Sequence, residues 1–288
     1  PFLEYGAQES AAWLACTLEA AWLPTPKPVR TRIPLNATLP AVPAERVPEV
    51  LAKYEGEIQE LKIKVAEKGQ SLADDIARVA AAREALPNAR LKVDANMGYT
   101  LAGALEALRK LCEYGIIYAE QPVASIEDMA ALRFAIAKEG LPARIAADES
   151  IRKAEDPLKV ARANAADLMV IKAAPLGGVR RALALVEQAQ LPVVVSSALE
   201  SSVGIATGAS LASSLPALKY GCGLGTVSLM AEDVTDKPLI ARDGFMDLRT
   251  ITPSPQRLER LATDKQTRQW WVERVTACYR VLERASGL

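Results

Sequence analysis

The sequence predicts an α/β protein whose parallel strands close into a barrel. Three observations carry that reading. Eight short apolar runs alternate with helix-like segments across residues 32–226, the rhythm of repeated βαβ units, and eight strands favour closure over an open, doubly wound sheet. Three consecutive runs finish on an acid, at Asp94, Glu120 and Asp148. No phosphate-binding G-x-G-x-x-G opens the first unit, which argues against a dinucleotide-binding sheet.

Taken in order, residues 1–27 read as a separate piece. Residues 2–6 look like a loop and 9–23 like an apolar helix, which Pro24, Pro26 and Pro28 end, since proline cannot continue a helix. Residues 32–39 then form a short strand, and a helix begins at 47–54. A strictly alternating strand spans 60–65, and an amphipathic helix covers 72–86, with Ile76, Val79 and Ala80 at helical spacing. The Asp94 strand follows, then a helix over 101–114, the Glu120 strand, a helix over 126–138 and the Asp148 strand. Residues 157–164 read as helix and 168–171 as a strand ending on Lys172. A helix at 179–190, a strand at 191–195 ending in Ser196 and Ser197, a small-residue helix at 203–215 and a last strand at 221–226 complete the count. The rhythm breaks at Met230. The aromatic-bearing helix at 269–285, with Trp270 and Trp271, is expected to pack with residues 1–27 as a second small domain; the alternative is that it closes the bottom of the barrel.

Composition narrows the function. The chain has 35 basic and 35 acidic residues, so no charge excess points to nucleic acid or an anionic membrane. No apolar run is long enough to span a bilayer and no signal-peptide pattern is present, so a cytoplasmic location is expected. Cys16, Cys112, Cys222 and Cys278 are far apart and form no C-x-x-C pair, which reads as reduced thiols. The chain begins at Pro1, so N-terminal sequence is expected to precede this numbering. It contains no histidine. That removes a Ser-His-Asp triad, histidine-bound zinc and a histidine base together, leaving lysine, tyrosine, cysteine or a carboxylate for acid–base work.

In a parallel barrel the strand C-termini share one face, so Asp94, Glu120 and Asp148 converge there. Converging carboxylates repel unless a cation lies among them, and oxygen donors favour a hard divalent ion, Mg²⁺ or Mn²⁺. Glu149 is the rival to Asp148, although on an extended strand it faces the other way. Lys62 and Lys64 lie two apart on one strand and share a face. Either they point into the barrel, or they are solvated and Leu61, Ile63 and Val65 form the buried set. Packed together inside, they would lower each other's pKa. Lys172 ends a strand on the far side of the acids in chain order, so the lysines would flank a substrate bound at the metal.

These motifs (Lys62-x-Lys64, Asp94-x-Asn96, Glu120-Gln121-Pro122, Asp148-Glu149-Ser150 and Lys172) occur in the order of the enolase superfamily, and the lysine pair resembles its muconate-lactonizing-enzyme subgroup. Within the subgroup, residues 1–6, 196–204 and 223–226 are most similar to the o-succinylbenzoate synthase family. The resemblance implies a modified TIM barrel, (β/α)7β, under an α+β capping domain made from residues 1–27 and 230–288, with residues 28–229 as the barrel. The cap's first strands, which precede the loop matching Pro1–Gly6, are not in this sequence. It also implies Mg²⁺ on Asp94, Glu120 and Asp148, with Asn96 behind them. Lys64 would be the base, assisted by Lys62, with Lys172 opposite as a cation facing an enediolate. Ser197, Gly223 and Leu224 would contact a small carboxylate substrate. The implied reaction is dehydration of a cyclohexadiene carboxylate in menaquinone synthesis. N-acylamino acid racemases share the same motifs. A dipeptide epimerase would carry an Asp-x-Asp near the last strand, where Gly223-Leu224-Gly225-Thr226 stands. A barrel used only for binding would need neither the lysines nor the acids.

Overall fold

The computed structural model describes residues 6–152 and 156–286. Residues 1–5, expected as part of an active-site loop, lie outside the described residues. The first helix, α1 (Ala7–Trp22), is followed by β1 (Arg32–Pro34), β2 (Ala37–Leu39) and a short helix α2 (Val47–Leu51). The barrel proper then runs β3 (Glu60–Lys64), α3 (Leu72–Ala85), β4 (Arg90–Asp94), α4 (Leu101–Leu111), β5 (Ile116–Glu120), α5 (Ile126–Glu139) and β6 (Arg144–Ala147). It continues through two short helices, α6 (Glu149–Arg152) and α7 (Lys159–Arg162), to β7 (Leu168–Ile171), α8 (Val179–Ala189), β8 (Val193–Val195) and α9 (Ser202–Ser214). The tail holds β9 (Phe245–Asp247), α10 (Pro255–Arg260) and α11 (Lys265–Ser286).

Seven strands, β2 to β8, pair in sequence order and in parallel. The eighth expected strand is reduced to single bridges. Cys222 pairs with Leu35 and Gly223 with Ser196, and these join the first and last strands into a closed ring. The N–H of Cys222 donates to the Pro34 carbonyl at 2.8 Å, and that of Gly223 to the Val195 carbonyl at 2.8 Å. The predicted strand over 32–39 is also split. Its first half, β1, leaves the barrel to pair antiparallel with β9.

Alternation along the strands separates two interiors. Odd-numbered residues such as Leu61, Ile63, Leu91, Val93 and Ile145 are buried under the helices in the main apolar core. Even-numbered residues point into the barrel, where Tyr118, Ala146, Leu168, Val170, Val194 and Tyr220 form a second, smaller cluster. The question about Lys62 and Lys64 is thereby resolved. They face inward, and Leu61 and Ile63 are buried as well, because a barrel strand is covered on both sides.

Polar residues line the barrel floor. Lys92, fully buried, donates to Glu60 at 3.1 Å and to the Gly221 carbonyl at 3.0 Å, while Glu60 accepts from the Gly221 N–H at 2.8 Å. Side chains thus satisfy the backbone of the irregular eighth segment where no strand ladder does.

The two chain ends meet where α1 packs along α11, and Arg274 donates to Ser10 at 2.9 Å. The first part of the tail also touches the barrel. Leu239 and Met246 are buried in the barrel core, and β9 belongs with β1, so the segment before α10 is a brace on the barrel.

Candidate active site

Gln121 builds the acid cluster. Its fully buried side-chain carbonyl accepts from the backbone N–H groups of Asp148 at 3.0 Å and Ser150 at 3.1 Å, and its amide donates to Val123 and to the Ser150 hydroxyl. One amide side chain therefore ties the end of β5 to the end of β6 and sets Glu120 beside Asp148. Main-chain bonds from Ala95 to the Glu120 carbonyl (3.1 Å) and from Met97 to the Gln121 carbonyl (2.8 Å) tie in β4. Turning the chain so sharply places Asn96, Met97 and Gln121 at positive φ, at 43°, 69° and 38°, a conformation that non-glycine residues adopt only under constraint.

Asp94, Glu120 and Asp148 are all buried at this end of the barrel. Lys62 lies 2.9 Å from Asp94 and 3.2 Å from Glu120. Lys64 lies 2.6 Å from the same Asp94 oxygen and 2.5 Å from the Asn96 side-chain oxygen. Lys172 grips both oxygens of Asp148, at 2.7 and 2.6 Å. Lys64 (β3) and Lys172 (just after β7) stand four strands apart in a ring of eight segments, and so face each other across the barrel. Lys64 is the most open of the three, its side chain 30% exposed against 13% for Lys62 and 10% for Lys172.

Burial opposes charge on Lys62, but Asp94 and Glu120 outweigh it and hold the ammonium above the usual lysine range. The mutual lowering expected of the lysine pair therefore does not describe Lys62 here, because a carboxylate oxygen stands between the two ammonium groups. Burial also resists the charge of Asp94, yet Lys62 and Lys64 pull its carboxyl below the ordinary range. Burial, followed by the repulsion of Asp94, pushes Glu120 up to about 7.

Among the described residues no three acids stand as a ready-made metal cage; lysine ammonium groups lie between them. The donor set nonetheless suits a hard divalent cation. It is all oxygen, drawn from three buried carboxylates at one end of the barrel. Glu149, the rival to Asp148, turns aside: it accepts from Asn96 at 3.2 Å and Arg152 at 2.7 Å, and its other oxygen is buried without a hydrogen-bond partner among the described residues. Asn96 thus bridges Lys64 to Glu149 and contacts Asp94 through its backbone N–H at 3.2 Å.

A cavity of about 350 Å³ opens over these groups. Ser197 and Gly223 line it, and the Ser197 hydroxyl lies 2.9 Å from the Gly223 carbonyl and 3.0 Å from the Thr226 hydroxyl. Leu224 was expected beside the substrate, but it is fully buried with its side chain over Gly208 of α9, on the far side of its segment from Gly223. Three further wall residues carried no signal in the sequence. Trp13 comes from α1, Arg152 from a four-residue helix and Thr38 from β2. Each reaches the cavity by tertiary placement, and no local motif marks it.

Comparison with known proteins places this architecture. Residues 44–253 match the enolase C-terminal domain-like family. The chain is 52% identical to o-succinylbenzoate synthase of Mycolicibacterium smegmatis, over 98% of this chain and 85% of that protein. It is 49% identical to o-succinylbenzoate synthase of Mycobacterium leprae, over 99% and 83%. Among solved structures it resembles muconate cycloisomerase from Pseudomonas fluorescens with a TM-score of 0.71 at 27% identity, covering 81% of this chain and 66% of that one. With its family match across most of the barrel and relatives at half identity along nearly its whole length, the chain belongs to the enolase superfamily.

Proposed function

We propose that the protein is an o-succinylbenzoate synthase, a lyase that dehydrates 2-succinyl-6-hydroxy-2,4-cyclohexadiene-1-carboxylate to the aromatic o-succinylbenzoate. The observation that carries the reading is the pair Lys64 and Lys172, facing each other across Asp94, Glu120 and Asp148 in one cavity. Relatives of that name at 49–52% identity support it.

Asp94, Glu120 and Asp148 would hold Mg²⁺, or Mn²⁺ in its place. The bound ion would polarise the substrate carboxylate and acidify the adjacent C–H. Lys64, the lysine most open to the cavity and nearest the strand end, takes that proton in its neutral amine form. Lys172 faces the opposite side of the ring and stabilises the negative charge that develops there. Lys62 stays charged beneath and offsets the acids. The C–O bond to the neighbouring hydroxyl then breaks, and the Lys64 ammonium returns its proton to the departing hydroxide. One C–H and one C–O bond are lost, water leaves and the ring becomes aromatic. Ser197 and the Gly223 backbone line the end of the cavity that receives the succinyl arm. We infer that α1 and α11 belong to a cap over the site, a reading supported by Trp13 in the cavity wall.

Because Lys172 is a second amine on the far face, N-succinylamino acid racemisation is the second reading. The two are separated by measuring kcat/KM for the cyclohexadiene carboxylate beside N-succinyl amino acids. A preference for the amino acids would overturn the synthase assignment. Among the described residues no helix is long and apolar enough to cross a membrane.

A further inference from the structure

The barrel helices differ in how their N-termini are closed. On α3, α4 and α5 a local hydroxyl does so: Ser71, Thr100 and Ser125 each accept from a backbone N–H one turn on. The last two barrel helices have no such local cap, α8 starting from Gly178 and α9 from Ser201. In both, a carboxylate from outside the barrel repeat takes over. Asp233 of the tail accepts from the Ser202 N–H at 3.1 Å. Glu19 of α1 accepts from the N–H groups of Val179 at 3.0 Å and Arg180 at 3.2 Å. These are the two helices whose preceding loops carry Lys172 and Ser197.

The Glu19 contact is the closer fit. Its side chain is only 12% exposed and lies 3.5 Å from the Arg180 guanidinium, which also donates to the Pro24 carbonyl at 2.6 Å. Gly178 has φ +125°, and a Cβ placed there would stand 2.3 Å from a Glu19 oxygen. Glycine is thus required both by the backbone angle and by the incoming carboxylate. The turn between Lys172 and Gly178 is short and internally bonded, Gly178 N–H to Ala173 carbonyl at 2.9 Å and Gly177 N–H to Ala174 carbonyl at 3.1 Å. It also presents Pro175 to the cavity. A displacement at Gly178 is therefore passed along seven residues to Lys172.

We propose that Glu19 is a positioning residue: by capping α8 from the first helix of the chain, it sets the Lys172 turn and makes the placement of that lysine depend on docking of α1. The role deepens the synthase reading and rests on it for its kinetic test. Misplacing a catalytic group by about 1 Å can cost about 100-fold in rate. Glu19→Ala should therefore lower kcat by about 10- to 100-fold while KM changes by less than about threefold. Glu19→Gln, which keeps an acceptor oxygen of the same reach, should recover most of the loss. Gly178→Ala should mimic Glu19→Ala, and the double variant should be far less impaired than the product of the two single effects.

Amide hydrogen exchange supplies a readout independent of turnover, since Val179 and Arg180 should exchange faster in Glu19→Ala than in the parent. Thermal melts fix the folded fraction of each variant. The proposal is overturned if kcat per folded molecule in Glu19→Ala stays within twofold of the parent, or if exchange at both amides is unchanged. Failure of the parent to dehydrate the cyclohexadiene carboxylate would instead defeat the synthase reading, and the exchange arm would still decide the role of Glu19.

Discussion

Replacing Lys64 by alanine should abolish most of the dehydration while leaving the fold nearly intact. A positioned general base contributes about 10²–10⁴-fold, which at about 1.36 kcal/mol per tenfold is roughly 2.7–5.4 kcal/mol of barrier. No neighbour can substitute. Lys62 is held charged by Asp94 and Glu120, Lys172 faces the other side of the cavity, and the chain has no histidine. The structural cost is small by contrast. Asp94 keeps Lys62 at 2.9 Å when Lys64 is removed, Asn96 keeps its contact with Glu149, and Lys64 is itself 30% exposed, so the substitution leaves no buried charge without a partner. The assay is formation of the aromatic product by absorbance, run beside incorporation of solvent deuterium at the α-carbon and a thermal melt. Both rates should fall at least 100-fold with little change in melting temperature. Dehydration within tenfold of the parent, in a variant that melts normally, would refute the assignment of Lys64 as base.

Other outcomes follow from the same geometry. Asp148→Asn should abolish Mg²⁺ binding measured by calorimetry, whereas Glu149→Gln should weaken it only modestly; the reverse result moves the third ligand by one residue. Saturating Mg²⁺, at about 100 times its dissociation constant, should stabilise the parent by about 2.7 kcal/mol, a rise of roughly 5–10 °C in melting temperature, and Glu120→Gln should remove most of that rise. Lys92→Met should cost about 1–3 kcal/mol in denaturant unfolding, because Glu60 and the Gly221 carbonyl lose their buried ammonium partner while Glu60 keeps Arg90 at 2.5 Å; a loss under about 0.5 kcal/mol would show that the Glu60–Lys92 pair does not hold the eighth segment.

Much of this site was legible in the chain because strand ends in a parallel barrel converge. Asp94, Glu120, Asp148 and Lys172 each terminate an apolar run, and that local signal sufficed to bring them to one face. Lys62 and Lys64 were ambiguous because period-two alternation names two faces without saying which is interior, and a barrel strand buries both. The break at Pro34 was hidden for a different reason. Its β1 partner, β9, lies more than two hundred residues on, and nothing local announces a long-range antiparallel pair. Gly223 and Leu224 fall on opposite sides of an extended segment, and of the two only Gly223 lines the pocket, a difference that adjacency in sequence does not show. Gln121 was visible within Glu120-Gln121-Pro122, but its work, joining two strand ends through one amide, depends on distances the sequence does not contain.

The bridges at Cys222 and Gly223 make the barrel's seam its least reinforced join, and the seam runs beside the cavity. The partners it unites, Leu35 and Ser196, come from the beginning and the end of the barrel sequence. A piece of the chain lacking either end of the barrel sequence cannot complete the ring, and during folding the ring should close last, beside the cavity. The same join should be the first to breathe in the native protein. Exchange of the Cys222 and Gly223 amides should accordingly outpace that of β4 through β6, so that transient solvent entry begins beside the substrate cavity.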